Sequence, residues 1–329
     1  MRSRPARLRR RLAVCIPARN EALRLPACLA SLAAQTPDPR VASLTICLVA
    51  NNCDDATAET ALTTAARLRL ACEVVSVSLD PARAHAGWAR RLALETGARL
   101  LSQAGDVLLS TDADTTAPAH WLSRTLDYLD AGYDAVAGRP KFSPIERRAL
   151  PVKLRRRLAA IHGYENATAY LRHRLSADEP WPRHFSESGA SLALTFEMFR
   201  RLGEVPAPPL GEDGALLDSV RAAGGRIRHP TDLHVYTSAR MTGRAKGGAS
   251  DTLQKWNDQP ESQAIGGASP IERIMSGSCA PGEDLSFEAL PLEVRRARAL
   301  VRSLRRRAGA FLTPPEIQPE LVTSQTERG

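Results

Sequence analysis

The sequence has no run of about 18 uninterrupted apolar residues, which excludes an ordinary membrane-spanning helix. Its six cysteines (Cys15, Cys28, Cys47, Cys53, Cys72 and Cys279) form no C-x-x-C pair and none sits beside histidines at zinc spacing. They read as core thiols of a protein in a reducing cytoplasm. The basic start contains only Leu12 to Ile16 as an apolar stretch, too short for a secretion signal. No helix-turn-helix, RNA-recognition or zinc pattern is present, so nucleic-acid binding would rest on charge alone. There is no internal repeat beyond alternating units, and no Gly-rich basic loop after the first apolar segment.

What is present is a globular composition: 329 residues, 43% hydrophobic and 25% charged, enough for one large α/β domain with additions or for two modest ones. The net charge of +9 fits phosphorylated substrates, an anionic membrane surface or nucleic acid. Much of the excess lies at the chain ends and in Lys153-Leu154-Arg155-Arg156-Arg157, where a solvated arginine face is the plain alternative.

Leu12 to Ile16 reads as a strand, followed by a polar loop and by Leu25, Cys28, Leu29 and Leu32 at helical spacing. Leu44 to Ala50, an Asn/Asp-rich turn and a helix ending near Leu70 repeat the order; Cys72 to Ser78, Trp88 to Leu101 and Val107 to Thr111 continue it. Strands alternating with helices predict a mostly parallel sheet covered on both faces, with ligands beyond the carboxyl ends of its strands. Those ends carry Arg19-Asn20-Glu21, Asn51 to Asp55, and Asp112-Ala113-Asp114. Two carboxylates one residue apart after a strand can converge on one Mg²⁺ or Mn²⁺ and on the diphosphate it carries, although a turn also selects Asp for local hydrogen bonding.

A helix at Trp121, Leu122 and Leu126 and a strand at Ala135 to Gly138 follow, then a long basic helix over Leu150 to Tyr170. The pattern resumes at Ser188 to Leu194, and Glu212-Asp213 open a helix over Ala215 to Ala223, where a carboxylate also serves as an N-terminal cap. The loop Thr237 to Ser250, with Arg240, Arg244 and Lys246 among glycines, suits a phosphate clamp.

Ala13 to Glu21, Val49 to Thr57, Asp112 to Asp114 and Gly211 to Asp213 together resemble the successive motifs of family 2 glycosyltransferases of GT-A fold, over roughly residues 10 to 250. The resemblance implies a Rossmann-like three-layer αβα sandwich with a mostly parallel central sheet. It also implies transfer of a single sugar from a nucleoside-diphosphate sugar to a hydroxyl acceptor. Pro17, Ala18, Arg19 and Glu21 match the nucleoside loop, with Glu21 suited to ribose hydroxyls. Asn51 stands where the family usually has an aspartate facing the uracil edge, a departure that loosens the preference for UDP-sugar over GDP-sugar. Arg90 matches the basic neighbour of base and diphosphate. Asp112 and Asp114 match the metal motif for Mn²⁺ or Mg²⁺, with Asp114 the direct ligand and Asp112 shared with ribose or metal.

Gly189 and Ala190 match the small residues beneath the acceptor. Asp213 matches the general base of inverting members, with Glu212 beside it; a retaining reaction would not need that base. His234, Arg240 and Arg244 are candidates for late metal or diphosphate contacts, a packed or surface histidine being the other reading of His234. Gln254-Lys255-Trp256 is a poor match to the Q-x-x-R-W motif of processive synthases, which favours single addition.

The expected organisation is a transferase domain over 1–256, with a nucleotide half at about 10–115 and an acceptor half at about 116–256. A loop or linker over 257–287, a basic helix over 288–312 and a tail over 313–329 complete it. The last helix is expected to pack one face on the domain with its arginines in water; an anionic membrane is the other surface it fits. Acceptors could be small metabolites or lipid-linked, with room for peripheral membrane contact at the inner face and for a homodimer. A catalytically degenerate scaffold and a sugar nucleotidyltransferase are the competing readings. Intact Asp112, Asp114 and Asp213 oppose the first, and the lack of a Gly-rich first loop opposes the second.

Overall fold

The central strand of the molecule comes from its first apolar run. In the computed structural model, which describes residues 9–176, 178–243, 247–276 and 284–307, Leu12 to Ile16 lie inside β1 (Arg10–Ala18), all of them buried. Burial on both faces is what an internal parallel strand requires. The chain continues through α1 (Leu25–Ala33), β2 (Val41–Asn51), α2 (Thr57–Leu68), β3 (Ala71–Val77), α3 (Ala86–Ala98), β4 (Val107–Ser110), α4 (Trp121–Asp130) and β5 (Ala135–Ala137). Next come β6 (Arg139–Phe142), α5 (Pro144–Ala149), α6 (Val152–Leu175), a short 3₁₀ turn (Gly189–Ser191), β7 (Leu192–Thr195), α7 (Phe196–Leu202) and α8 (Glu212–Ala222). The chain then forms β8 (Ile227–Arg228), β9 (His234–Thr237), α9 (Ala249–Asp258), α10 (Ile271–Ser276) and α11 (Leu290–Arg307).

The main sheet has the order β3-β2-β1-β4-β7-β5-β8. β1 runs parallel to β2 and β4, and β2 to β3, while β7 is antiparallel between β4 and β5. The carboxyl ends of β1, β2 and β4 therefore share one rim. Alternation along β1 sends Leu12, Val14 and Ile16 into a core with Leu25 and Leu29 of α1 and Leu126 of α4. Ala13 and Cys15 point to the opposite core, with Ala93 and Leu94 of α3 and Leu216 and Leu217 of α8. This is the expected helix–sheet–helix sandwich. β6 and β9 pair in a separate parallel ribbon beside it.

A third core lies under α6, where Ile161, Tyr164 and Leu171 meet Ile271 and Ile274 of α10 and Leu290 and Ala297 of α11. The stretch 257–287, expected as a loop, contains α10 and buries Ile265, Leu285 and Phe287; residues 277–283 lie outside the described residues. Its apolar residues are spaced too irregularly to give a periodic signal. The basic helix α11 uses its apolar face for this packing and leaves Arg295, Arg298, Arg302, Arg305 and Arg306 exposed. No described helix is long and apolar enough to cross a membrane. Cys15, Cys28 and Cys47 are buried free thiols, and Cys53 and Cys72 are free and half-buried. Cys279 and the tail 313–329 lie outside the described residues.

Close approach of α3 to the sheet depends on Gly97. A Cβ there would stand 2.6 Å from Cys15 Sγ and 3.1 Å from the Ala13 methyl. We expect Gly97→Ala to lower stability by about 1–3 kcal/mol despite its better helix propensity, because the added methyl overpacks a filled interface. Urea unfolding checks this, and an unchanged midpoint would show that the interface has room.

Candidate active site

The rim is organised first by its own turns. Asn20 (φ 54°) and Asn52 (φ 47°) take left-handed conformations that a short polar side chain tolerates. Asn20 Oδ1 accepts the Asp54 amide at 2.7 Å, tying the first loop to the second. Asp55 accepts the amide of Thr57, the first residue of α2, at 3.0 Å and that of Ala22 at 3.1 Å, while the Glu21 amide donates to Thr57 Oγ1 at 2.8 Å. Glu21 is thus fixed and buried, as is Ala18 at the end of β1 after the half-buried Pro17, whereas Arg19 is exposed and its Nη1 donates to the Ala84 carbonyl. Asn51, at the end of β2, is buried, and its Oδ1 has no partner among the described residues.

Arg90 is the hub on the other side of the rim. It projects from α3 and is buried. Nη1 donates to Ser110 Oγ at 2.8 Å and to the Gly189 carbonyl at 3.2 Å; Nη2 donates to Asp112 Oδ1 at 2.9 Å and to Glu212 Oε1 at 3.3 Å. Nε lies 2.9 Å from Asp213 Oδ1. One guanidinium therefore joins the end of β4 to the start of α8. Gly189 makes this possible, because a Cβ there would fall 2.0 Å from Arg90 Cζ. Gly87 serves the same end near the start of α3, facing the Pro208 carbonyl, where a Cβ would stand at 2.2 Å.

Arg240 is the second cation. Its Nη1 donates to Glu21 Oε2 at 2.8 Å, and Nη2 lies 3.2 Å from Asp114 Oδ2. The segment carrying it is held by Glu146, whose Oε2 accepts from Ser238 Oγ and from the Ala239 amide, both at 2.7 Å, and whose other oxygen pairs with Arg24 at 2.6 Å. Glu21, Asp112, Asp114, Glu212 and Asp213 thus surround two guanidinium groups, an excess of negative charge. Burial first, then Asp112 and Glu21, push Asp114 up to about 7 against the pull of Arg240. Burial, with Glu212 and Asp112, pushes Asp213 up to about 6, against Arg90.

Such a group of carboxylates fits a divalent cation. Among the described residues no three His, Cys, Asp or Glu side chains gather as a ready cage. Asp112 and Asp114 are a pair, which suits a cation that keeps water or substrate phosphate in its other positions. His234, expected as a further ligand, is not in a cluster with them. Its Nε2 lies 3.2 Å from the Tyr236 hydroxyl, and its charged neighbours are Lys141 and Asp232. Its position on β9 puts it in the ribbon beside the sheet, on the face it shares with Tyr236. Arg244 lies outside the described residues. Ala190 is buried and its carbonyl accepts from Thr111 Oγ1 at 2.9 Å, with Trp121 Nε1 anchoring Ser191 at 2.9 Å.

Three further groups were not legible in the sequence. Ser110 and Glu146 carry no local pattern; they matter only through partners far along the chain. His229 Nδ1 contacts Glu179 Oε1 at 2.6 Å and its Nε2 lies 3.3 Å from Glu187 Oε1, two residues before Gly189. Glu179 also pairs with Arg183 at 2.8 Å and Arg228 at 3.4 Å.

A sequence model described as Glycosyl transferase family 2 matches residues 13–180. No curated protein sequence matches the chain. Among solved structures, the chain is similar to the mannosyltransferase PcManGT from Pyrobaculum calidifontis in complex with GDP-Man and Mn²⁺, at 18% identity and a TM-score of 0.50 over 95% of this chain and 81% of that one. It is also similar to S. aureus TarS 1-349, at 15% identity and a TM-score of 0.47 over 70% of this chain and 60% of that one. M. tuberculosis glucosyl-3-phosphoglycerate synthase is similar at 19% identity and a TM-score of 0.44 over 78% of this chain and 84% of that one. The likeness to PcManGT concerns the fold alone; the chain spans less than two thirds of the TarS fragment.

The buried imidazole makes stability pH-dependent. Burial opposes its charge, but Glu179 and Glu187 outweigh this and raise the His229 pKa above its ordinary value. Its contribution is full below the unfolded pKa of about 6.5 and is lost as pH rises through the higher folded value. We expect unfolding free energy to fall on the alkaline side of neutrality, with that fall reduced in His229→Gln. Urea unfolding at pH 6 and pH 9 checks this; equal slopes in both proteins would remove the assignment.

Proposed function

The chain belongs to glycosyl transferase family 2, and from that premise we propose that it is a metal-dependent, inverting transferase moving one sugar from a nucleoside diphosphate to an acceptor hydroxyl. The observation that carries the reading is the Arg90 bridge, 2.9 Å from both Asp112 and Asp213. It joins a diphosphate-side carboxylate and a base in one site.

Glu21 serves the ribose and Asn51 the base edge, the unpartnered Asn51 Oδ1 being an acceptor that a donor group on the nucleobase could satisfy. Asp112 and Asp114 would hold the Mn²⁺ or Mg²⁺, which when bound would neutralise the diphosphate and ease its departure. Arg240 exchanges its contacts with Glu21 and Asp114 for the diphosphate, keeping a cation beside the leaving group. Asp213 Oδ1 has the ionic contact to Arg90 but no aligned hydrogen bond among the described residues, which leaves it able to accept the proton of the attacking hydroxyl. In the displacement the acceptor oxygen bonds to the anomeric carbon and that carbon's bond to the diphosphate breaks. The electron pair leaves with the nucleotide, and the hydroxyl proton passes to Asp213. Glu212 shares Arg90 and keeps the acceptor side negatively charged.

Either UDP-sugar or GDP-sugar is compatible with Asn51, whose amide can donate and accept. The scaffold reading is weakened by the complete Asp112, Asp114 and Asp213 set. We further propose that the protein works in the cytoplasm as a single-addition enzyme; the packed apolar face of α11 supports a role for that helix within the fold.

Calorimetry with UDP and GDP, each with and without Mn²⁺, tests the donor site. We expect metal-dependent binding of one nucleotide that is lost in Asp114→Ala; failure of both to bind would end the reading. With the donor known, kcat/KM should rise with pH through about 6 as Asp213 loses its proton. Asp213→Asn should lose about a hundredfold or more in kcat while keeping nucleotide affinity. A full-rate Asn variant would rule out the base.

A further inference from the structure

The two most exposed large apolar side chains among the described residues are carried by adjoining elements. Leu23, in the loop after β1, is 90% exposed and Ile145, in α5, is 80% exposed. Their sequence neighbours Arg24 and Glu146 form an ion pair at 2.6 Å, which brings that loop and α5 to one place on the surface. A lone exposed aliphatic side chain needs no explanation, but a pair held on joined elements leaves apolar area in water unless something covers it.

The chain around Ile145 is cationic. Residues 144–156 carry Arg147, Arg148, Lys153, Arg155 and Arg156 against one carboxylate, Glu146, which Arg24 already neutralises. Arg147, Arg148 and Arg156 meet no carboxylate within ion-pair distance among the described residues. In α5, Ile145, Arg148 and Ala149 are exposed at i, i+3 and i+4, one face of a helix. After Pro151, α6 opens with Val152, Lys153 and Arg156 exposed, Val152 by 53%, while Leu150, Leu154 and Leu158 turn inward to a core with Leu253 of α9. Arg157 belongs to the inside, 2.8 Å from Glu261. Both helices thus expose aliphatic side chains interleaved with unneutralised cations.

We propose that α5, the first turns of α6 and the loop at Leu23 form a docking surface for an anionic lipid bilayer. Leu23, Ile145 and Val152 enter the headgroup layer, and Arg148, Lys153 and Arg156 meet lipid phosphates. Aliphatic tips among cations suit a lipid interface, where each group finds its own kind of partner. Single-stranded nucleic acid calls for stacking platforms, and residues 144–156 contain no aromatic side chain. The surface differs from the basic helix α11, whose apolar face is spent on the third core. It adjoins the candidate site, since Glu146 also holds Ser238 and Ala239 beside Arg240. A docked molecule therefore presents that rim close to the bilayer. The inference goes beyond the transferase reading and does not depend on it.

The test is sedimentation of the full chain, without nucleotide, with vesicles of phosphatidylcholine alone and of phosphatidylcholine mixed with phosphatidylglycerol. Binding to the mixed vesicles only is expected. Leu23→Ser combined with Ile145→Ser should weaken it about tenfold or more through lost apolar burial. Arg148→Glu combined with Lys153→Glu should weaken it about tenfold or more through reversed charge. Ile145→Leu, which keeps the apolar tip, should bind as the wild type does, and thermal unfolding checks that each variant is folded. Arg298→Glu combined with Arg302→Glu in α11 removes as much positive charge elsewhere and should weaken binding far less. No binding to mixed vesicles, or an equal loss in the α11 variant, would overturn the proposal. Full binding by the Leu23 and Ile145 variant would overturn it as well, because charge alone would then account for the attraction. Failure of the chain to bind any nucleotide would end the transferase reading and leave the vesicle result standing.

Discussion

Everything at the candidate site depends on one buried guanidinium. Burying Arg90 would cost several kcal/mol if it were unpaired, and the fold meets that cost with three carboxylates, a hydroxyl and a carbonyl. The carboxylates come from the loop after β4 and from α8, about a hundred residues apart in sequence. The arginine therefore sets their separation, and it also restrains the pKa of Asp213, which burial and two like charges would otherwise raise further. Gly189 leaves the room that this arrangement needs.

Arg240 is the counterpart on the nucleotide side. It spans Glu21 of the first loop and Asp114 of the proposed metal pair, so the late segment closes the rim through ionic contacts. Those contacts are only partly buried, and a diphosphate offers the same guanidinium a better-charged partner. In the proposed reaction the two arginines divide the work: Arg90 fixes the carboxylates it bridges, and Arg240 is available to the ligand. Around them the sheet is rigid, since β1 is buried on both faces and α3 packs on it through Gly97.

Much of this was legible in the sequence because it is local. Leu12 to Ile16, Leu25 to Leu32 and Val107 to Thr111 state their period and their boundaries, and the parallel topology brings the loops after them to one rim. The small third core was not legible: Ile265, Ile274, Leu285 and Phe287 follow no period, and their burial comes from packing against α6 and α11. The role of Arg90 was half visible. Its position suggested a phosphate neighbour, but its partners Ser110, Gly189, Glu212 and Asp213 meet only in three dimensions. His234 shows the reverse case, since a strand-like histidine near a candidate phosphate loop in sequence turns out to sit with Tyr236 and Lys141.

The central claim is that Arg90 electrostatically couples the base to the donor-side carboxylates, and the pH–rate profile of Arg90→Gln tests it most directly. Loss of the positive charge should move the acidic limb of kcat/KM well above about pH 6, because Asp213 would then face Glu212 and Asp112 without a counter-ion. A variant that is slower but keeps the wild-type limb would contradict the coupling and leave Arg90 as no more than a packing residue.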